Sequence, residues 1–201
     1  MNKFLDTSII IGYAYDEKKF IIFVNNKKGE FVISYYSLEK EILSIKKRLK
    51  LIINEIKKQT PDLKKLLENK EIYKQDLFRA EKLLAIKEIL LKRGLDSNKE
   101  LDKIQEVFEI RIDFFIQKLI DKKAVPIKEI NFELKSSLFT YIQNHSDANV
   151  LASGIQYHQE NEIVLITSDK HDWTKENLGW ALPEHSQLRK KYPHLPEIEY
   201  I

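Results

Sequence analysis

The chain has 201 residues, of which 43% are hydrophobic and 32% charged, with a net charge of +3 and no cysteine. That composition belongs to a folded chain rather than a disordered one, and it excludes disulfides, thiolate zinc sites and thiol nucleophiles. The lack of cysteine fits a reducing cytoplasm; Asp6 breaks the N-terminal apolar run, so no secretory leader is expected, and no apolar run approaches the ~20 residues of a membrane span.

Phe4 to Gly12 ("FLDTSIIIG") reads as a first buried strand, short, apolar and β-branched. Asp16 to Lys28 is ambiguous; the spacing of Phe20, Phe23 and Val24 favours a helix that Gly29 ends. Glu30 to Tyr36 reads as a second strand, after which Ser37 caps a helix starting near Leu38. From Leu38 to about Lys123 the pattern is helical throughout. Leu38, Ile42, Ile45 and Leu49 share one face, and Thr60-Pro61 supplies a cap and a first helical position. A long helix then carries Leu63, Leu66, Leu67, Tyr73, Leu77, Leu84 and Leu91 to a stop at Gly94. A second starts at Ser97 or Asn98 and carries Leu101, Ile104, Phe108, Phe115 and Leu119, so a long antiparallel hairpin is expected.

Pro126 closes that region. Phe132 to Asn144 reads as a short helix, and Ser146 or Asp147 begins another with Val150, Leu151 and Ile155. "EIVLITSD", Glu162 to Asp169, is the clearest strand, its continuous apolar run suiting a central parallel strand covered on both faces. "PEIEYI" supplies a last strand. The expected fold is α/β, a three-layer α/β/α sandwich on a mainly parallel sheet with a helical insertion. Charge divides along the chain: residues 46–123 hold 21 Lys/Arg against 14 Asp/Glu, and the remainder 13 against 17. A basic segment beside an acidic pocket suits nucleic acid plus metal, although a solvated lysine-rich helical surface gives the same count.

The acids carry the chemistry. Asp6 follows the first apolar residues, Glu39 and Glu41 fall in the first turn after the second strand, and Asp147 lies where a helix begins. Asp169 ends the best strand, with Asp172 three residues on. In parallel α/β sheets ligands gather at the carboxyl ends of strands. Each of these acids sits at such an end or at the helix start behind it, so neighbouring strands bring them together. Crowded carboxylates need a proton or a cation. Oxygen-only ligands point to Mg²⁺ or Mn²⁺, which suits phosphodiester hydrolysis. Singly, each acid has an ordinary role as a cap, a turn residue or a first-turn acid.

"FLDTSIII", "ISYYSLEKEI", "SDANVLASGI" and "LITSDKHDW", in that order, resemble the four motifs of PIN-domain nucleases. The resemblance covers the first ~45 and last ~70 residues, a span that suits an ordinary domain. It implies a PIN-like single domain with its core at residues 1–47 and 126–201 and an inserted helical hairpin at about 48–125. It implies a Mg²⁺- or Mn²⁺-dependent site and cleavage of RNA, usually single-stranded. Asp6, Asp147 and Asp169 match the family's aspartates and would hold the metal, and Asp172 matches its more variable last acid. Thr7, Ser8 and Thr167 match supporting hydroxyls. The family's glutamate would fall on Lys40; Glu39 and Glu41 flank it, with Glu41 preferred because a one-residue difference in helix start brings it to the sheet end.

The expected activity is therefore a cytoplasmic metal-dependent endoribonuclease. Bacterial relatives of this kind are often toxins of toxin–antitoxin pairs or phage-defence effectors, which leaves an antitoxin, a regulator or a second copy of the chain open as a partner. The alternative is a module of the same fold that binds RNA or a protein without cutting, and a DNA-directed nuclease is the variant within the enzyme class. The histidines, His145 and His171 included, read as surface or loop residues, and Trp173 and Trp180 as packing residues, Trp173 bordering the pocket.

Overall fold

The structure, a computed structural model, describes residues 2–201, and their side chains except at 74 and 75. Five strands form one all-parallel sheet: β1 (Asn2–Leu5), β2 (Phe31–Ile33), β3 (Lys122–Lys123), β4 (Ile163–Thr167) and β5 (Glu197–Tyr200), in the order β3-β2-β1-β4-β5. Consecutive residues of a strand point to opposite faces, and Phe4 and Leu5 are both fully buried, so both faces are covered. On one face Phe4, Val32 and Leu165 share a core with α7 (Phe132–Ile142) and α8 (His145–His158). On the other, Phe31 stacks on Phe23 of α2 (Lys18–Asn25), ring centroids 5.5 Å apart, and on Phe115 at 6.3 Å. The arrangement is consistent with a three-layer sandwich.

The chain divides into two compact units, Met1–Glu41 with Ile112–Ile201, and Ile42–Arg111. The first contains the whole sheet. Its chain leaves β1 toward β2 and β3 and returns on the other side as β4 and β5. The carboxyl ends of β1 and β4 therefore flank the point where the winding reverses, which in such sheets is where a crevice opens. The backbone N–H of Asp6 donates to Ile166 O at 2.9 Å, tying the end of β1 to that of β4. Gly154 lets α8 lie close on these strands: a Cβ there would stand 3.0 Å from Leu165 and 3.3 Å from Phe4.

Several local expectations change. The run Phe4–Gly12 is not one strand: β1 stops at Leu5, Asp6 has extended backbone at the N-cap, and α1 (Thr7–Ala14) takes up "TSIIIGYA". A short apolar run does not distinguish a buried strand from a buried helix; the chain turns from one to the other at Asp6, whose carboxylate accepts from the Ser8 and Thr167 hydroxyls and makes no side-chain cap bond. The second strand ends at Ile33, and Ser37 is not a cap. The Ser34 hydroxyl accepts from the Tyr36 N–H at 3.0 Å, and a π-helical turn, Ser37–Glu41, leads into α3 (Ile42–Ile56). Asp147 is not the start of α8 either; Asn144 is the N-cap, its side chain accepting from the N–H groups of Ser146 and Asp147. The helical stretch expected to reach Lys123 ends in β3, too short to leave a periodic signature. The helix of "NFELKSS", the strand of "EIVLIT" and the last strand stand as expected.

The second unit is helical. The cap at its first break is Asp62, not Thr60, its carboxylate accepting from the N–H groups of Lys64 and Lys65. The single long helix expected before Gly94 is two, α4 (Leu63–Glu68) and α5 (Lys74–Lys92), because the apolar spacing carried across residues 69–73 without the chain following it. Gly94, at φ 68°, does stop α5, and α6 (Ser97–Phe114) starts at Ser97 as read. Asp76, 2% exposed, joins α3 to α5: Arg48 Nε lies 3.0 Å from its carboxylate and Arg79 Nη1 3.1 Å. The Arg48 guanidinium also lies 4.8 Å over the Tyr73 ring. Asp76→Asn keeps the shape but removes the charge that two guanidiniums share. It is expected to cost about 2–3 kcal/mol in urea unfolding; an unchanged midpoint would show that water already serves those arginines.

Candidate functional site

The site forms at the carboxyl ends of β1 and β4, where the start of α8 and the π-helical turn meet them. Asp6 leaves β1 and is almost fully buried. Hydroxyls meet it: Ser8 donates to Asp6 Oδ2 at 2.5 Å and Thr167, at the end of β4, at 2.7 Å. Burial is the largest influence on this carboxyl and raises its pKa, and the charge of Asp169 pushes the same way. The acid just past the end of β1 thus has two neutral donors to hold it in place, which position a carboxylate without neutralising it.

Glu41 arrives on the π-helical turn. An α-helix advances 100° per residue and a π-turn less, so the inserted residue turns Glu41 inward where ideal spacing would shift it along the surface. Thr7 and Ser37 both donate to Glu41 Oε2, Ser37 at 3.0 Å, and their own hydroxyls lie 2.8 Å apart. Ser146 of α8 hydrogen-bonds to Glu41 as well. Burial raises the Glu41 pKa first, and the Asp6 charge adds to it. Glu39, by contrast, is exposed and is not brought to the others.

Asp147 stands on the first turn of α8. The indole N–H of Trp173, itself fully buried, donates to Asp147 Oδ1 at 3.2 Å, and the Asn144 amide donates to Oδ2. Burial pushes the Asp147 carboxyl up to about 8, with the charges of Asp6, Glu41 and Asp172 contributing in the same direction. Asp169 lies two residues past β4 and shapes its own loop: its Oδ1 accepts from the N–H groups of His171 at 2.7 Å and Asp172 at 3.1 Å. The Thr167 hydroxyl links the two strand ends, accepting from the Asp169 N–H at 2.9 Å while donating to Asp6. Asp172 lies 2.9 Å from Nδ1 of the exposed His171, which raises the pKa of that imidazole.

One carboxylate oxygen from each of Asp147, Asp169 and Asp172 lies within 4.8 Å of the other two. Asp6, expected as a direct ligand with Asp147 and Asp169, is not in that triad; Asp172 is. Five of the six acids singled out in the sequence, Asp6, Glu41, Asp147, Asp169 and Asp172, thus influence one another electrostatically. The donor set is oxygen throughout, half-buried and mutually repulsive, and it fits a hard divalent cation such as Mg²⁺ or Mn²⁺. Sequence reasoning missed the contributions of Ser37, Ser146 and Asn144. Ser37 was visible only as a cap, and the inward turn that gives it another task is set by the backbone. Comparisons with family models, with curated proteins and with solved structures found no match.

Proposed function

We propose that the chain is a metal-dependent endoribonuclease with a PIN-like core, hydrolysing phosphodiester bonds in single-stranded RNA. The observation that carries this reading is the approach of the Asp147, Asp169 and Asp172 carboxylates to within 4.8 Å at the carboxyl end of a parallel sheet. The order of the four motifs supports it. On this reading residues 42–111 are the helical insertion and the sheet-bearing unit is the nuclease core.

Asp147, Asp169 and Asp172 would hold the cation, Mg²⁺ or Mn²⁺, directly or through water. When bound, such an ion lowers the pKa of a water molecule and stabilises the leaving oxygen. The chain's own residues set the geometry. Trp173 and Asn144 fix the two oxygens of Asp147, so its carboxylate enters the site in one orientation. Thr167 holds the ends of β1 and β4 at a fixed separation through Asp6 and the Asp169 N–H. Glu41 and Asp6, both with raised pKa, retain a proton more readily than ordinary carboxyls and lie beside Asp147 to accept or return one.

The test is cleavage of a broad set of single-stranded RNAs with Mn²⁺ or Mg²⁺, with single-stranded DNA and duplex controls alongside. The wild-type chain is expected to cut RNA, and Asp6→Asn and Asp169→Asn to lose at least about a hundredfold in rate. An inactive wild type, or Asn variants that cut normally, sinks the reading. RNA binding without cleavage would favour the non-catalytic module instead.

A further inference from the structure

Helix α7 buries Leu134, Leu138 and Ile142 in the core and leaves an aromatic stripe beside them. Phe132 is 72% exposed and Phe139 43% exposed, at positions i and i+7, with Lys135 on the same face between them. The Lys135 ammonium sits 5.4 Å from the Phe132 ring centroid. The stripe ends at the first turn of α8: the Phe139 ring meets His145 edge-on, centroids 5.3 Å apart, and His145 opens α8 two residues before Asp147. Two residues span at most about 7 Å of chain.

We infer that this stripe is the track on which the unpaired bases of a single-stranded RNA stack as its backbone enters the acidic site. Exposed phenyl rings are costly to leave in water, and nucleobases are planar partners that cover them without sequence preference. The Lys135 ammonium lies beside the Phe132 ring, where the phosphate of a nucleotide stacked there would pass, and its charge is the complement of that phosphate. A wholly apolar partner surface would leave that ammonium unmatched. The stripe reaches the first turn of α8 at His145, the same turn that carries Asp147, so a strand lying along it is brought to the helix end that bears the acids. The identity of the RNA rests on the nuclease reading above; the stacking surface itself does not require cleavage.

The experiment measures binding and cleavage separately. A fluorescein-labelled single-stranded oligouridylate is titrated against the Asp169→Asn chain and against the same chain carrying Phe132→Ala, Phe139→Ala or Lys135→Ala. Each ring removed is expected to weaken binding roughly five- to a hundredfold, on the scale of one base–aromatic stack. Lys135→Ala is expected to weaken binding several-fold and to flatten its salt dependence. Phe139→Leu, which keeps apolar bulk without the ring, is expected to bind as poorly as the alanine variant, and Phe139→Trp to bind as well as wild type. Both positions are exposed, so coincident thermal unfolding curves are expected for all variants. On the chain with Asp169 intact, loss of a ring is expected to raise KM and leave kcat near its original value.

Equal affinity for the single strand across folded variants overturns the inference, even where cleavage is intact, and leaves the stripe to a protein contact. No binding of the oligouridylate by the parent chain overturns it too. Ring-dependent binding with no cleavage under any metal keeps the stacking surface and removes the nuclease reading.

Discussion

With divalent metal chelated, the protein is expected to lose about 3 kcal/mol of stability between pH 5 and pH 9, and Asp147→Asn to abolish most of that loss. The folded Asp147 carboxyl titrates at about 8, against an ordinary value of 3.8. Between those values the folded chain holds a proton that the unfolded chain has released. Stability therefore falls as pH rises through this window and levels off above about 8, opposite to the usual salt-bridged carboxylate. At about 1.4 kcal/mol for each pH unit the full effect would exceed 5 kcal/mol, but the carboxyl is only half-buried, and water at its open edge trims it. Asp6 and Glu41, both raised mainly by burial, push the same way.

Asn at 147 keeps an acceptor for the Trp173 indole and removes the charge. The donor it cannot match is the amide of Asn144, which is exposed and free to turn to water. A cation that binds the ionised cluster reverses the trend. Excess Mn²⁺ is expected to raise the melting temperature strongly at pH 8 and little at pH 5, with about 2.7 kcal/mol gained at a hundred times its Kd. Urea titrations across the pH range, with EDTA and with Mn²⁺, read all of this. Stability that climbs with pH in EDTA, or an Asn variant with the same slope as wild type, would show that the cluster carries no such strain.

The parts of this site that were legible in the sequence were those written in single residues at element ends. Asp169 lies two residues past a strand of five consecutive apolar or β-branched residues, whose β-branched content and short length favour a strand. Asp6 was legible as an anomaly, a carboxylate among apolar neighbours, although the strand drawn through it was wrong: the chain turns into α1 directly behind it. That error left Asp6 at a strand end all the same, because the N-cap of α1 directly follows the last residue of β1. What was not legible is set by backbone geometry and partners distant in sequence. The donation of Trp173 to Asp147 spans 26 residues, and that of Thr167 to Asp6 spans 161. No periodicity encodes either. The break at residues 69–73 was hidden for a different reason: leucines continue at helical spacing across it, and spacing reports which face is apolar, not whether the backbone is continuous.

The glutamate of the second motif shows how far spacing alone reaches, and its test follows from the turn that places it. The spacing of the family that the motifs resemble would put the acid on Lys40, a position where the side chain is exposed. The helix here is capped by Ser34, three residues before the serine that sequence patterns favour as the cap, begins at Tyr35 and then inserts a π-turn. An earlier start and a wider turn act together to bring Glu41 inward and leave Glu39 in solvent. Glu41→Gln is thus expected to lower metal-dependent cleavage by a hundredfold or more, and Glu39→Gln to change it less than about twofold. Stability separates the two as well. Glu41→Gln removes a buried charge that Asp6 repels while keeping an acceptor for Thr7 and Ser37. In EDTA at pH 8 it is expected to be more stable than wild type, because the raised Glu41 pKa means its ionised form costs the fold stability there. Glu39→Gln should leave the unfolding midpoint where it was. A loss of activity at Glu39 with none at Glu41 would mean that the turn rearranges when RNA and metal bind. Loss of stability in Glu41→Gln would mean that the Thr7–Ser37 hydroxyl pair, rather than relief of repulsion, decides the energetics of that corner.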